Sequence, residues 1–461
     1  TSQMYMKKKI WYATAYILLQ LTFSSALQAQ FNVSWQLRNR AELRSGQGAP
    51  LPKDASPAFF ISQRTGLQVS YNTQRLKLGL ALRDVRVWGQ DVSTINKIST
   101  QQNNGVMLHE AWAELLLSDS SARQHALSLK IGRQELVYDD QRLIGNLDWL
   151  QQGRRHDAAL LKYERSSWTL HGGFAFNQNK EAASGTIYNG DPPGNYTAST
   201  NGGAMYKSME FLYAGKKLKN GNASFLFFAD QFNKYNYDSV NNTDAKQFQK
   251  GVWTRMTTGA YFTNRFFDVL NINAGLYYQF GKNASGQQLN AWMSNVYAQY
   301  SINKKIAIGA GMDHTSGGAS GTTSHAFDPL YGTPHKFWGL MDYFYAGSGF
   351  GNGGLTDYYL KSKWKIADRY LLTADLHQFF SDSKIADPLH PGNTNNNFGQ
   401  EIDVVAVFNW SKDITLEGGY SHFFTMSLLS SPAVKNISNP QSGANWAYIM
   451  INIKPEYFFK F

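Results

Sequence analysis

The amino-acid sequence predicts an all-β fold, a transmembrane antiparallel β-barrel of about 18 strands with short periplasmic turns and long extracellular loops. Two observations predict it. From Phe31 to Phe461 the chain divides into strand-length segments, and the connections between them alternate between short and long. Along many of these segments, polar and apolar residues also alternate. An outer-membrane barrel built from one chain has both features.

The short connections are expected on the periplasmic side of the barrel. They lie at 72–74, 165–166, 302–303, 367–368 and 411–412. The connections between them are expected to run to roughly ten to forty residues, far longer than is usual in compact soluble domains. Such lengths fit extracellular loops.

The first predicted strand shows how the two faces separate. Phe31, Val33, Trp35 and Leu37 share one face, and polar residues occupy every second position from 32 to 44 on the other. Because successive side chains point to opposite sides of a sheet, the apolar face of a barrel meets lipid and the polar face lines a wet lumen. In a soluble sandwich the same pattern would mark an apolar core. The alternation of short and long connections favours the barrel, and so does the signal sequence described next.

Residues 1–29 are interpreted as a leader and secretory signal peptide, which is removed to leave 30–461 as a single barrel domain. Three lysines at 7–9 precede an apolar run from Ile10 to about Leu21, and small residues follow before Gln30. Cleavage removes these lysines, so the formal net charge of +11 falls to +8. The predicted location is therefore the outer membrane of a Gram-negative cell, and the mature chain is basic.

Several other classes of protein find little support. The chain has no cysteine, which excludes disulfides, thiolate metal sites and cysteine nucleophiles. His109 and Glu110 lack the second histidine of a zinc protease helix, and no serine elbow stands between a strand and a helix. We therefore expect no enzymatic activity, no cofactor and no metal. A secreted barrel with cations on its inner strand faces also makes nucleic acid an unexpected partner.

A group of motifs before residue 158 resembles the alginate-export porin family. The motifs are LKIGRQEL at 129–136, DQRLIG at 140–145, DW at 148–149 and GRRHDA at 153–158. Segments 37–42, 335–344 and 446–448 look like the same family. The resemblance implies a monomeric barrel in outer-membrane lipid that passes an anionic polysaccharide, such as an alginate-like uronate polymer, through a basic lumen. Export of a polymer would require periplasmic partners. A general or small-anion porin is the alternative.

The cations that could line this lumen come from two sources. Strand alternation places six cations on lumen faces: Arg38, Arg40, Arg64, Lys130, Lys361 and Lys363. The family-like motifs add Arg133, Arg142 and Arg155. Cations in a pore concentrate anions, and guanidinium groups match carboxylates in two-pronged fashion. Each cation could instead form a structural pair with an inward acid, and the sequence leaves the two roles open.

The connection at 134–152 is too long and too charged for an ordinary hairpin. We expect it either to fold into the pore as a constriction, with Arg133 and Arg142 paired to an aspartate at 139, 140 or 148, or to form a solvated outer loop. The motif residues expected to support a constriction are Gly132, Asp148, Trp149 and Asp157. The glycine-rich run at 347–354 lacks the strand and helix of a phosphate site and is expected to be a loop.

Overall fold

The computed structural model describes residues 30–89, 105–118, 125–177, 183–185, 206–238, 243–344, 353–387, 389–425 and 427–460. The predicted signal peptide, the terminal Phe461 and most of the glycine-rich run lie outside these ranges. Within them, no helix is long and apolar enough to cross a membrane. The described helical segments are a 3-10 turn at Pro334–Lys336 and a single helix, α1, at Ser427–Ser430.

The described chain forms a closed antiparallel barrel whose wall has eighteen strands. Thirteen come before the longest connection: β1 (Gln30–Ser45), β2 (Ala58–Asn72), β3 (Leu76–Val87), β4 (Met107–Leu116), β5 (His125–Gln134), β6 (His156–Arg165), β7 (Trp168–Phe176), β8 (Ser208–Lys217), β9 (Gly221–Asp238), β10 (Thr243–Phe266), β11 (Leu270–Lys282), β12 (Gln288–Ser301) and β13 (Ile306–Thr315). That connection carries a small hairpin, β14 (Ala319–Ser320) and β15 (Thr323–Ser324). The wall continues with β16 (Leu355–Ala367), β17 (Tyr370–Ala386), β18 (Thr394–Asn409), β19 (Ile414–Thr425) and β20 (Gly443–Ile453), which β21 (Glu456–Lys460) extends.

The first and last strands close the ring. β1 pairs with β2 on one side and with both β20 and β21 on the other, always antiparallel. Pro455 falls between β20 and β21, where its carbonyl accepts a hydrogen bond from the Trp35 amide at 3.2 Å. A proline lacks the amide needed for a ladder bond, so the sequence predicts that Pro455 ends the ladder before the last few residues. The pairing instead resumes at Glu456 after two interrupted positions, 454 and 455, so that prediction is wrong.

The predicted alternation of faces in β1 is confirmed. Arg38 and Arg40 are 4% and 3% exposed on the inner face, whereas Trp35 and Leu43 are 38% and 46% exposed on the outer face. In β3 the alternation from Leu76 to Leu82 loses phase at Arg83 and Asp84, which predicts either a bulge or a strand end. The structure has a bulge in the pairing of β3 with β4, where the register shifts between Ala81 and Leu82. Because β3 itself continues to Val87, the bulge does not end the strand.

The predicted short turns all join neighbouring wall strands at one end of the barrel. The expected length of the opposite connections is wrong in three places. Only residues 239–242 separate β9 from β10, only 283–287 separate β11 from β12, and only 387–393 separate β17 from β18. β9 and β10 are unusually long, at 18 and 24 residues. Residues that the sequence assigns to an outer loop therefore continue the wall.

Gly132 on β5 has a backbone that a side chain would strain. Its φ is +123°, and an added Cβ would lie 2.2 Å from the Ala111 carbonyl oxygen. We expect Gly132→Ala to destabilise the barrel by about 1–3 kcal/mol, measured as a lower urea concentration for unfolding in lipid vesicles. Gly172→Ala is the matched control, because its nearest neighbour, in Leu212, is 3.6 Å away. Equal stability of both variants would contradict the assignment.

Candidate functional site: a constriction built from two inner loops

Two loops fold into the lumen and hold each other there. The first inner loop comprises residues 135–155 and the second comprises residues 325–344. The Gly145 amide donates to the Tyr331 carbonyl at 2.9 Å, and the Tyr331 amide donates to the Leu143 carbonyl at 2.9 Å. A third bond runs from the Thr333 amide to the Gln141 carbonyl at 2.8 Å. The two loops therefore form one hydrogen-bonded unit across the barrel.

Arginines from the wall bind the first inner loop at residues 148–152. Arg64 Nη1 lies 2.5 Å from Asp148 Oδ1, and Arg38 Nη1 lies 3.2 Å from Asp148 Oδ2. Arg64 also donates to the carbonyls of 148, 150 and 151, and Arg38 donates to those of 149 and 150. Arg83 donates to the Gln152 carbonyl at 2.8 Å. Buried guanidinium groups need such partners, so we call this set of contacts the arginine clamp.

Trp149 lies at the centre of the constriction. The Arg40 guanidinium is 4.0 Å from the centroid of its ring, and His335 of the second inner loop stacks on it at 4.1 Å with an interplanar angle of 10°. Trp446 and Tyr448 from β20 pack edge-on against the same ring. The indole thus contacts the wall and the second inner loop from its place in the first.

The opposite side of the lumen supplies further anchors. Arg142 of the first inner loop contacts Asp140 at 3.3 Å and Asp313 of β13 at 2.5 Å. In the second inner loop, the Tyr331 hydroxyl donates to Asp230 of β9 at 2.8 Å, and the Met341 amide donates to Glu401 of β18 at 2.8 Å. The 134–152 connection therefore folds into the pore, and the alternative of a solvated outer loop is wrong.

The Asp148 carboxylate is held ionised by its neighbours. Burial raises its pKa, but the Arg64 and Arg38 guanidinium groups outweigh that effect and hold the pKa below its ordinary value. Its side chain remains about half exposed, at 54%, while the two arginines that it contacts are almost fully buried. One carboxylate therefore supplies the counter-charge for two buried cations.

The remaining predicted residues on inner faces mostly have partners. Lys130 Nζ lies 3.9 Å from the centroid of the Trp112 ring, and Lys361 contacts Asp375 at 2.7 Å. Arg155 is buried at the end of the first inner loop. Lys363 differs from these residues, because it is exposed and no carboxylate of the described chain lies within 4.0 Å of it.

Two of the predicted site residues lie on the wrong face. Arg133 and Asp157 form a two-pronged pair at 2.8 and 2.9 Å, but they share the outer face with Ile131 and Leu161, which are 49% and 47% exposed. Strand alternation from the inward Lys130 gives the physical reason, since residues three apart point to opposite sides. Arg133 is therefore not a lumen cation, and Asp157 is not part of the constriction. Both predictions are wrong.

The structure adds two residues that sequence reasoning missed. Arg83 belongs to the arginine clamp. Strand alternation places Lys77 on the lumen face of β3, and counting alternate positions from it would have placed Arg83 inside as well. Lys336 lies at the 3-10 turn of the second inner loop, where its Nζ donates to the Asp140 carbonyl at 3.0 Å. Lys336 belongs to the family-like segment 335–344, but no strand period applies to a loop, so the motif did not indicate where its side chain lies.

Two spaces remain beside the inner loops. One has a volume of about 610 Å³ and extends along β1 to β4 past Arg83, Asp148 and Trp149. The other has a volume of about 370 Å³ and lies against β10 to β13, β16 and β17 near Arg142 and Lys361. Lys336 lines both. Among the described residues, no group of three or more histidines and carboxylates is arranged to hold a metal ion.

A closed barrel with an outward apolar face and a polar lumen narrowed by inner loops defines an outer-membrane protein of the porin or channel class. Comparison with known families supports the same class. The sequence model of the family described as alginate export matches residues 28–176. The resemblance seen in the sequence motifs is thus confirmed. A comparison with curated proteins finds no match.

Solved porins share the fold at low sequence identity. OccK5 (OpdH) of Pseudomonas aeruginosa has a TM-score of 0.55 and 9% identity, over 93% of this chain and 98% of its own. OpdK of the same organism, solved with vanillate, has a TM-score of 0.56 and 10% identity, over 93% and 99%. OccAB4 of Acinetobacter baumannii has a TM-score of 0.58 and 12% identity, over 94% and 99%. At these identities the similarity concerns the fold.

Replacing the shared counter-charge of the arginine clamp should loosen the constriction. Asp148→Asn keeps the shape of the side chain but leaves Arg38 and Arg64 without a carboxylate. A charged hydrogen bond contributes about 1.5–3 kcal/mol when buried, and the exposure of Asp148 reduces this value. We expect openings of a wider state to become about tenfold more frequent in single-channel recordings. Asp54→Asn, at an exposed position of the first outer connection, is the control, and identical recordings from both variants would contradict the assignment.

The same contact predicts a pH dependence. The Asp148 carboxylate holds the first inner loop to Arg38 and Arg64, and it does so fully at a pH above the ordinary carboxyl pKa of about 3.9. Because its pKa in the folded protein is lower, the effect is lost as the pH falls through that lower value. We expect wild-type and Asp148→Asn channels to differ in their openings at neutral pH. That difference should narrow only as the pH falls below about 4. A difference that disappears between pH 7 and pH 5 would contradict the lowered pKa.

Proposed function

We propose that the protein is a passive outer-membrane channel for an anionic, carboxylated polysaccharide or its oligomers, which pass through a basic lumen. The observation that carries this proposal is a group of cations at the periplasmic end of the barrel. They surround a space of about 380 Å³ and are Lys304, Lys305, Lys363, Lys365 and Arg369. Among the described residues lining this space, the acid is Asp368, which contacts Lys365 at 2.8 Å.

The placement of Lys363 makes this group relevant to the lumen. It lies opposite Ala307 of β13 and Thr373 of β17, on the same face of β16 as the inward residue Lys361. Its exposed ammonium group therefore faces the pore. Cations at the mouth of a low-dielectric channel raise the local concentration of anions, and this attraction weakens as salt screens it. An acidic polymer entering from the periplasm would meet these charges before it reaches the inner loops.

The family comparison supports a polymeric substrate. The matched residues 28–176 include β1 to β7 and the whole first inner loop, and so they contain the clamped segment that narrows the lumen. Solute moves through a passive pore down its concentration gradient, so the direction of transport depends on which side of the membrane supplies the polymer. Export would require periplasmic partners that deliver the polymer. The porin fold also favours a role in transport over a role in catalysis.

A general or small-anion porin is the second candidate. The fold that the chain shares with OccK5, OpdK and OccAB4 favours it, and OpdK was solved with vanillate. The same cations would attract small anions as well as uronates. The two functions differ in whether an oligouronate interrupts the ionic current, because a bound polymer blocks the pore whereas a small anion carries current through it.

Neutralising the cation at the mouth should weaken anion preference. A unit charge contributes about 1 kcal/mol at 4 Å in water, so we expect Lys363→Gln to lower the anion-to-cation permeability ratio about two- to fivefold. The ratio is measured as the reversal potential across a planar bilayer under a salt gradient. Lys53→Gln, at an exposed position of an outer connection, should leave the reversal potential unchanged.

Two results would contradict the basic-mouth proposal. A wild-type channel that prefers cations would do so directly. An unchanged reversal potential in Lys363→Gln, and also in a variant that combines it with Lys365→Gln and Arg369→Gln, would show that these charges do not act on permeating ions.

A further inference from the structure

The space of about 370 Å³ beside the second inner loop has the lining of a ligand site. Its size falls within the range of about 300–1,000 Å³ typical of small-molecule pockets, which combine apolar walls with a few placed polar groups. Aromatic side chains of both the wall and the loop line it: Tyr261, Tyr297, Tyr359, Phe337 and Trp338. The rings of Tyr297 and Tyr359 lie 5.7 Å apart at an angle of 35°. Together they form an apolar surface beside the second inner loop.

Asn295 on β12 supplies a buried acceptor without a partner. Its side chain is 4% exposed and lines the space, and its Oδ1 atom accepts no hydrogen bond from the described residues. The neighbouring Gly275 leaves room for this oxygen, since a Cβ at that position would lie 2.4 Å from it. An unmade hydrogen bond at a buried group costs about 1–3 kcal/mol. Because this oxygen is enclosed against Gly275, it meets a donor on a ligand only after the Asn295 side chain turns into the space.

Lys336 supplies a cation that the surrounding acids do not neutralise. Arg142 forms salt bridges with both Asp140 and Asp313, and Lys361 forms one with Asp375. The Lys336 ammonium group contacts the carbonyl of Asp140, and no carboxylate of the described chain lies within 4.0 Å of it. Two of its three donors are thus free to bind an anionic group in the space.

We propose that this space is a binding subsite for one uronate ring of the transported chain, an inference that rests on the proposed function. Lys336 Nζ donates to the uronate carboxylate, and Tyr297, Tyr359 and Phe337 contact the C–H face of the sugar. Asn295 turns its side chain into the space, and its Oδ1 atom then accepts a hydrogen bond from a ring hydroxyl. A neutral sugar lacks the group that Lys336 binds. A small inorganic anion lacks the hydroxyl and the apolar face.

The test is block of single-channel current by a uronate trisaccharide, compared with a neutral trisaccharide of the same length. Lys336→Gln should raise the concentration of the uronate that halves the current about tenfold, and Lys336→Arg should restore most of the block. Asn295→Ala should weaken block by both sugars. Lys412→Gln removes one exposed charge in a periplasmic turn and should change neither value.

The outcomes separate the subsite from the proposed function. If the uronate does not block wild-type channels, both proposals fail. If it blocks wild type, and Lys336→Gln and Asn295→Ala both behave like Lys412→Gln, the subsite is wrong and the channel function stands. Equal weakening of uronate and neutral block in Lys336→Gln would overturn the assignment of Lys336 to the carboxylate. A selective loss of uronate block, rescued by arginine, supports the subsite.

Discussion

Closure of the ring by β1 is the constraint on which the rest of the structure depends. A sheet in lipid must pair all of its backbone amides and carbonyls, because no water is present to bind those at an open edge. β1 meets this requirement by pairing with β2 along one edge and with β20 and β21 along the other. Closure fixes which face of every strand is inside, and it brings the cations and acids of distant segments into one enclosed lumen.

The buried cations of the lumen need hydrogen-bonding partners and counter-charges, and the inner loops supply them. Charged groups inside a barrel this crowded lose water and need hydrogen-bonding partners. The first inner loop meets that need with backbone carbonyls at 148–152 and with the single carboxylate of Asp148. Most of the arginines that the sequence offers for substrate binding are thereby used to hold the constriction. Cations that keep free donors, such as Lys363 and Lys336, are the better candidates for contact with solute.

Local patterns explain which features the sequence could predict. The faces of β1 follow from a period of two within one strand, and the positions of Arg38, Arg40 and Arg64 were correct for that reason. Arg133 was misplaced because it was chosen from a motif, whereas counting along β5 from Lys130 turns it outward. The contact between Arg142 and Asp313 joins residues 171 positions apart, and only the closed ring brings them together. Asn295 lay on a predictable inner face, but its unpaired oxygen depends on neighbours from other strands.

The most direct test of the central claim is uptake by vesicles that contain the purified protein. Entry of a short oligouronate is compared with entry of a neutral oligosaccharide of equal length, with no energy source and at low salt. A passive channel for acidic saccharides predicts faster entry of the oligouronate, with the advantage shrinking as salt is added. Faster entry of the neutral sugar, or an oligouronate rate equal to that of empty vesicles, would contradict the account.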